Sequence, residues 1–434
     1  MSFVGTHRAL LSSALPGWAE GFDAWYDYTV PRGTPLLGFP PATDTHSSSI
    51  YALTSSGNYQ SFAANVPTRT NLGLQTVPTR TNLAVYSNDT TNANWSVTAS
   101  SKTTGQADFI GGTGAALVTA DGTSSSHSMS AAQTTGVSYT NGTTYTISRI
   151  VKPGTQTLLQ LTGAFSAFGG SQYANFSLTG SGSVSASAGL TSSGVQALAG
   201  GWYRIWITLA ATATVGTGGG VVGFISSGSD TRLPTNTLAT NYTDFGAQVE
   251  AASFPSPLIV TAGTSATVNG NQQVIGLTGL LGSGVSGFVQ LNQIAPAVSG
   301  YSARIFEIND GTGSNFIRLG DNSSGAMQTN ITTGGVDQGS VTGALGSFAP
   351  GLLTVVFAFG PNYNKFRIVG GADTIADTTV SWPTVTQMGV GGRGFDTSRN
   401  NYQQDRKFAL KFGPASQATF DAAYAAAQLA AASP

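Results

Sequence analysis

The sequence predicts an all-β protein: two antiparallel β-sandwiches of jelly-roll type in tandem, set after an irregular N-terminal arm and closed by a short C-terminal helix. Three observations lead there. Only 9% of the 434 residues are charged, against roughly 25% in ordinary soluble domains. The polar surface must therefore come from Ser, Thr, Asn, Gln and the backbone, whereas helical surfaces lean on Glu, Lys and Arg. The 57 glycines suit tight turns between short strands. Finally, 40% of the residues are hydrophobic, including 22 Phe, 14 Tyr and 6 Trp, which supports sizeable cores and excludes a disordered chain.

Residues 1–65 read as an irregular arm. Pro31, Pro35, Pro40 and Pro41 prevent long helices, and Trp18, Phe22, Trp25, Tyr26 and Tyr28 supply aromatic anchors. Two readings fit: Trp18, Trp25, Tyr26 and Tyr28 dock the chain on another protein, or the arm wraps over its own domain. Residues 66–83 then carry one phrase twice. Val66-Pro-Thr-Arg-Thr-Asn-Leu72 returns as Val77-Pro-Thr-Arg-Thr-Asn-Leu83. The pair reads as a hinge of two extended segments, with Gly73 making the turn and Arg69 and Arg80 bonding carbonyls or a carboxylate.

Residues 84–264 form the first predicted sandwich. Tyr145, Ile147, Arg149 and Val151 alternate against Thr144, Thr146, Ser148 and Ile150. Trp202, Arg204 and Trp206 share one strand face, and Tyr203, Ile205 and Ile207 the other. Asp121-Gly122 and Asn141-Gly142 suit hairpin turns. The β pattern restarts over residues 265–434. Arg304–Ile308 and Asn315–Leu319 flank an Asn-Asp-Gly turn as a hairpin, Gly351–Phe359 is apolar on both faces like an inner strand, and Arg406–Phe412 closes the sheet. An Ala-rich helix follows over Ser416–Ala431, with Ser416 as its cap.

Several function classes drop out. There is no Cys, so disulfides and thiolate metal sites are excluded. Net charge is −1 without a basic block, which gives nucleic acid no electrostatic footprint. No apolar run approaches the roughly 18 residues of a membrane span, so no membrane insertion is expected.

A set of phrases resembles tailed-bacteriophage virion proteins of the tail-fibre and head-fibre type. Asn65-Val-Pro-Thr-Arg69, Gly73-Leu-Gln-Thr-Val-Pro-Thr-Arg-Thr-Asn-Leu83, Tyr86-Ser-Asn88 and Trp95 are similar to their "N-x-P-R", "G-L-L-x-E-P-A-R-T-N-L", "Y-S" and "W". Tyr145-Thr-Ile-Ser148 with Val151-Lys-Pro-Gly154, then Gly201-Trp-Tyr-Arg204, then Phe245-Gly-Ala-Gln-Val-Glu250 with Ser253-Phe-Pro255 follow in the family's order across residues 47–262. Val77 and Thr79 depart from the family's Glu and Ala. The resemblance implies a carbohydrate-binding jelly roll; residues 265–434 more loosely resemble a concanavalin-like, laminin-G type module. It further implies a homo-oligomer made in the bacterial cytoplasm and displayed on the virion surface. Its partners would be other virion proteins, of capsid or tail, and a host cell-surface glycan. A capsid-decoration role and a polysaccharide depolymerase are the alternatives.

Candidate chemistry is sparse, and no enzyme is expected. The three histidines, His7, His46 and His127, stand apart from any nucleophile motif. Glu307, Asp310 and Asp321 could cluster across one hairpin as a carboxylate pair, or Asp310 and Asp321 could hold Ca²⁺; otherwise Asp310 caps its own Asp-Gly turn. No other cofactor is indicated. Gly389-Val-Gly-Gly-Arg-Gly394 lacks the helix of a phosphate loop and reads as a turn. Sugar rings stack on exposed aromatic faces, which singles out Trp202 and Trp206, and Trp382, Phe395 and Tyr402 near the C-terminal loops. Arg204 between the two tryptophans must be exposed with them or pair with a carboxylate such as Glu250.

Overall fold

A computed structural model describes residues 17–29, 43–44, 46–131, 137–294, 303–322, 324, 326–347, 351–372, 374, 379–395 and 401–432. The chain forms two compact units. One comprises Met1–Ala52, Ser61–Thr79 and Asn269–Pro434, the other Leu53–Gln60 and Arg80–Val268. Each is an antiparallel β-sandwich, and the sequence of the first sandwich is inserted into that of the second. The expected boundaries are shifted accordingly: the described part of residues 1–65 is not a separate arm, and most of it belongs with residues 269–434.

The first sandwich packs two six-stranded sheets. One runs Ser192–Ala197, Tyr203–Ala210, Thr144–Pro153, Asn241–Glu250, Ala115–Ala120, Ser100–Gln106; the other runs Ser183–Ala188, Tyr173–Ser177, Leu158–Thr162, Val221–Phe224, Ser128–Ala131, Trp95–Thr98. Alternation puts Tyr203, Ile205, Ile207 and Leu209 into the core, against Leu159, Leu161, Phe176 and Phe224 of the facing sheet. Asn141-Gly142 makes a turn, and neither it nor Asp121-Gly122 joins a hairpin. Ala115–Ala120 and Ser128–Ala131, on either side of Gly122, belong to different sheets, so the chain crosses between layers there.

The second sandwich faces two seven-stranded sheets around Phe306, Phe357, Phe359 and Phe408. The expected hairpin forms, with Arg304–Asn309 paired to Phe316–Asp321. Strand Gly351–Gly360 is apolar on both sides because both sides are covered. Val355, Phe357 and Phe359 face the sandwich interior, while Val356 and Ala358 face helix Gln417–Ala432. Ser416 caps that helix, its Oγ accepting the Thr419 N–H at 3.3 Å.

The N-terminal aromatic residues have the second of their two roles. Strand Ala24–Asp27 pairs with Gln403–Phe412. Its alternation sends Tyr26, followed by Tyr28 just beyond the strand, to the sandwich interior and Trp25, with Trp18 and Phe22, beneath the helix. All five are buried. Each ring is consumed by packing within the chain's own domain and is not left to dock on another protein.

Candidate functional site

The Trp202–Trp206 face of the first sandwich is not an open platform. Trp206 lies across Gly194 of the neighbouring strand, where a Cβ would stand 2.1 Å from Cζ2. Trp202 is 6% exposed. Arg204 is buried without a direct carboxylate bond: Nη1 donates to the Ser256 carbonyl at 2.5 Å and to the Tyr59 hydroxyl at 3.3 Å, and Nη2 to the Ser148 hydroxyl at 3.0 Å. Glu250, the expected partner, accepts instead from the Ser256 N–H at 3.0 Å and the Ser256 hydroxyl. Residues after the last strand thus fold back and close this face.

Beside it, rings do reach solvent. Tyr59, Phe109, Trp202 and Phe245 form a chain of edge-to-face contacts with centroids 5.6, 6.1 and 6.5 Å apart. Tyr59 and Phe109 are half-exposed. Lys152 is exposed, its ammonium 6.0 Å from the Trp202 ring centroid. Phe109 rides on a turn built around one carboxylate. Asp108 Oδ1 accepts from the N–H groups of Ile110 at 3.0 Å and Gly112 at 2.7 Å, and Oδ2 from Gly114 N–H at 3.1 Å. Such a cage of backbone donors fixes the turn without side-chain freedom. The result is a rigid aromatic edge beside a cation and the Tyr59 hydroxyl.

In the second sandwich, Phe395 is half-buried under Arg393, whose guanidinium carbon lies 4.3 Å from the ring centroid. Trp382 is half-buried against the core and Tyr402 is 9% exposed. These three do not make one open ring surface. Glu307 is fully buried, paired to Arg304 at 3.0 Å and Arg393 at 3.3 Å. Asp310 caps its own turn, accepting from Thr312 N–H at 2.8 Å, Thr312 hydroxyl at 2.6 Å and Asn315 amide at 2.8 Å. Asp321 is buried, and burial pushes its carboxyl up to about 7. Asp310 and Asp321 therefore do not assemble a Ca²⁺ cage, and among the described residues no three His, Asp or Glu side chains gather around a metal position. Oxygen ligands do converge on Lys102 of the first sandwich, where its ammonium meets the carbonyls of Thr91, Asn92 and Trp95 at 3.2, 2.9 and 2.5 Å. That position is filled by the chain itself.

Two histidines are structural. Both ring nitrogens of His46 meet the carbonyls of Ser48 and Val66 at 2.7 and 2.9 Å, and His127 Nδ1 meets Ala99 O at 2.5 Å; His7 lies outside the described residues. Arg69 bonds backbone carbonyls as expected, Nε to Tyr28 at 2.9 Å and Nη2 to Asp27 at 2.7 Å. Arg80 lies over Phe254, 4.8 Å from its centroid. Sequence reading missed the ion pair of Arg149 and Asp244, 2.9 Å apart inside the first core. Arg149 lies on the core face of its strand with its guanidinium carbon 4.1 Å from the Trp95 centroid.

No protein-family model matches the chain, and no curated protein matches it. One similar solved structure, described as "NanB plus Optactamide", is 14% identical and covers 37% of this chain with a TM-score of 0.28. The chain spans about a quarter of that structure's length, 26%. A second, the mouse laminin alpha1 chain, domains LG4-5, is 10% identical and covers 64% of this chain and 84% of its own, with a TM-score of 0.21. The sandwich class rests on the sheets themselves and not on these likenesses. Among the described residues, no helix is long and apolar enough to cross a membrane.

Proposed function

We propose that the chain is a surface protein of a tailed-phage particle, a fibre or spike that binds host-surface glycan through its first sandwich. The half-exposed edge of Tyr59 and Phe109 beside Lys152 carries the glycan part of this reading. Pyranose rings stack through C–H groups on aromatic faces while their hydroxyls need polar partners, and a pre-organised turn holds Phe109 without an ordering cost. The ordered phrases of residues 47–262 support the phage part, as does a surface of few charges that limits unspecific sticking. Partners are other virion proteins and further copies of the chain, since multivalency turns weak sugar affinity into firm attachment. The role proposed is binding without turnover.

Two measurements test it. Mass spectrometry of purified particles should find the chain as a stoichiometric component; its absence removes the virion role. In gels cast with polysaccharide extracted from the host strain, the full chain should be retarded and Phe109→Ala and Tyr59→Ala should run unretarded. Retardation equal in all three moves the binding site elsewhere, and new reducing ends would make the chain a depolymerase.

A further inference from the structure

The end loops of the first sandwich hold a second ring, on a different part of the domain. Phe165 opens the short helix Phe165–Phe168 and is 67% exposed, the one aromatic among the exposed large hydrophobic residues described. Its ring leans on Gly170, where a Cβ would stand 2.7 Å from Cε2. Its carbonyl accepts from Gly169 N–H at 2.8 Å. A single exposed ring is ordinary on a protein surface; what sets this one apart is the cation beside it.

Arg232 stands beside it, its guanidinium carbon 5.8 Å from the ring centroid. One buried amide pins the backbone on both sides of this arginine: Gln160 Nε2 donates to Thr231 O at 3.0 Å, and Gln160 Oε1 accepts from Leu233 N–H at 2.6 Å. Asn175 Nδ2 holds the preceding turn through Gly228 O at 3.1 Å and Asp230 O at 2.7 Å. The guanidinium itself is poorly met. Nη2 reaches Thr162 Oγ1 at 3.4 Å and Gly163 O at 3.3 Å, and Nε is buried with no partner. Among the described residues no carboxylate pairs with it. The nearest in sequence, Asp230, spends Oδ2 on Ser226 and Ser227. Half-burial lowers the pKa of Arg232, yet an arginine cannot shed its charge in a protein.

We propose that Phe165 and Arg232 form a binding site for an acidic sugar, whose pyranose face covers the Phe165 ring while its carboxylate pairs with the Arg232 guanidinium. The inference rests on the glycan reading and adds the class of ligand. A planar guanidinium takes a carboxylate through parallel charge-assisted bonds, and the loop that carries it is already fixed. A neutral sugar would cover the ring and leave the cation unmet. A nucleic acid finds no wider basic surface on a chain of net charge −1.

The test is titration of the full chain with three acidic probes (oligogalacturonate, oligosialate and oligoguluronate), with their carboxyl-reduced forms, and with neutral galactan. At least one acidic probe should bind about 10-fold or more tighter than its reduced form, in a salt-sensitive way, as one charge-assisted pair implies. Arg232→Gln should abolish that preference and Phe165→Ala should weaken acidic and reduced probes alike; Phe109→Ala should leave the preference intact. If either variant at this site fails to fold by circular dichroism, the other decides. Equal binding of acidic and reduced probes, an acid preference that survives Arg232→Gln, or binding that Phe165→Ala leaves unweakened, overturns this site. Loss of galactan binding in Phe109→Ala would then still uphold the glycan reading. No binding of any probe overturns this site, and the host-polysaccharide gel then decides the glycan reading separately.

Discussion

Replacing Arg149 by methionine removes the cation bonded to Asp244, and its cost should depend on pH in a calculable way. Asp244 is fully buried, and burial pushes its carboxyl up to about 6 even with the guanidinium at 2.9 Å. An unfolded Asp titrates near ~3.9. Between that value and the folded pKa, the folded state binds more protons than the unfolded one. Stability therefore falls as pH rises through this window and levels off above the folded pKa. The wild-type contribution levels off at about 6. Without Arg149 the carboxyl stays protonated past neutrality, so the variant keeps losing about 1.4 kcal/mol per pH unit. Its deficit should widen by roughly 2 kcal/mol between pH 6 and pH 7.5, on top of about 1–2 kcal/mol at any pH for the contact with Trp95. Asp244→Asn removes this titration, so its cost relative to wild type should shrink as pH rises from about 4 to 6. The assay is urea unfolding read by hydrogen exchange on peptides from Thr144–Pro153, which assigns the transition to the first sandwich. A pH-independent deficit for Arg149→Met, or a cost of Asp244→Asn that grows as pH rises from about 4 to 6, would refute the reasoning.

The second sandwich should also gain stability in mild acid. Burial pushes the carboxyl of Asp405 up to about 7 although both oxygens accept from Gln403, so its contribution falls as pH rises from about 4 to 7, and Asp405→Asn should lessen that slope, to which Asp44 and Asp321 also contribute, without loss at neutral pH. Urea midpoints that rise with pH in both proteins would contradict this. Gly194→Val should cost about 1–3 kcal/mol by overpacking Trp206, and Trp206→Ala should relieve it; additive costs in the double variant would show that the ring is not seated on Gly194.

Alternation along single strands was legible in the sequence, and so were local turns. Tyr203, Ile205 and Ile207 showed one strand face against Trp202, Arg204 and Trp206, Asp310 a self-capped turn, and Ser416 a helix start, because each signal lies within a few residues. What was not legible depends on distant partners. Arg149 stood visibly on a core face, but Asp244 lies 95 positions away and is matched to it only by strand pairing. The N-terminal rings looked like anchors without a host; their host is a strand at the other end of the chain, with Ala24 opposite Leu410. Phe109 could have been found, since Asp108 followed by Gly112 and Gly114 is a carboxylate with small residues at spacings that let backbone donors reach it.

The doubled phrase shows the same dependence within identical words. In the first copy, Arg69–Thr70 pairs with Gly73–Thr76 across a turn at Asn71 and Leu72, and Asn71 is exposed. The turn falls one residue before the expected Gly73 and does not give the two copies matching surroundings; Gly73 opens the next strand with φ +130° and no room for a side chain, since a Cβ would stand 2.3 Å from Asp405 O. In the second copy, Arg80–Asn82 runs on as a strand beside Ala266–Val268. Asn82 is fully buried there and makes four bonds: Nδ2 donates to Ala247 O at 3.0 Å and Ile259 O at 2.8 Å, and Oδ1 accepts from Ala84 N–H and Val249 N–H, both at 3.0 Å. One side chain thus satisfies four backbone groups that pass no water. Asn82→Ala leaves all four without it, and even if relaxation rescues half, the two that remain cost about 2–6 kcal/mol at 1–3 kcal/mol per stranded group. Asn71→Ala, the same change at the equivalent letter, should cost under about 1 kcal/mol because solvent replaces what it loses. Urea denaturation of the two variants decides it. Equal costs would mean that the phrase carries its own structure wherever it stands; the large asymmetry expected here means that the surrounding sheets assign each copy its conformation.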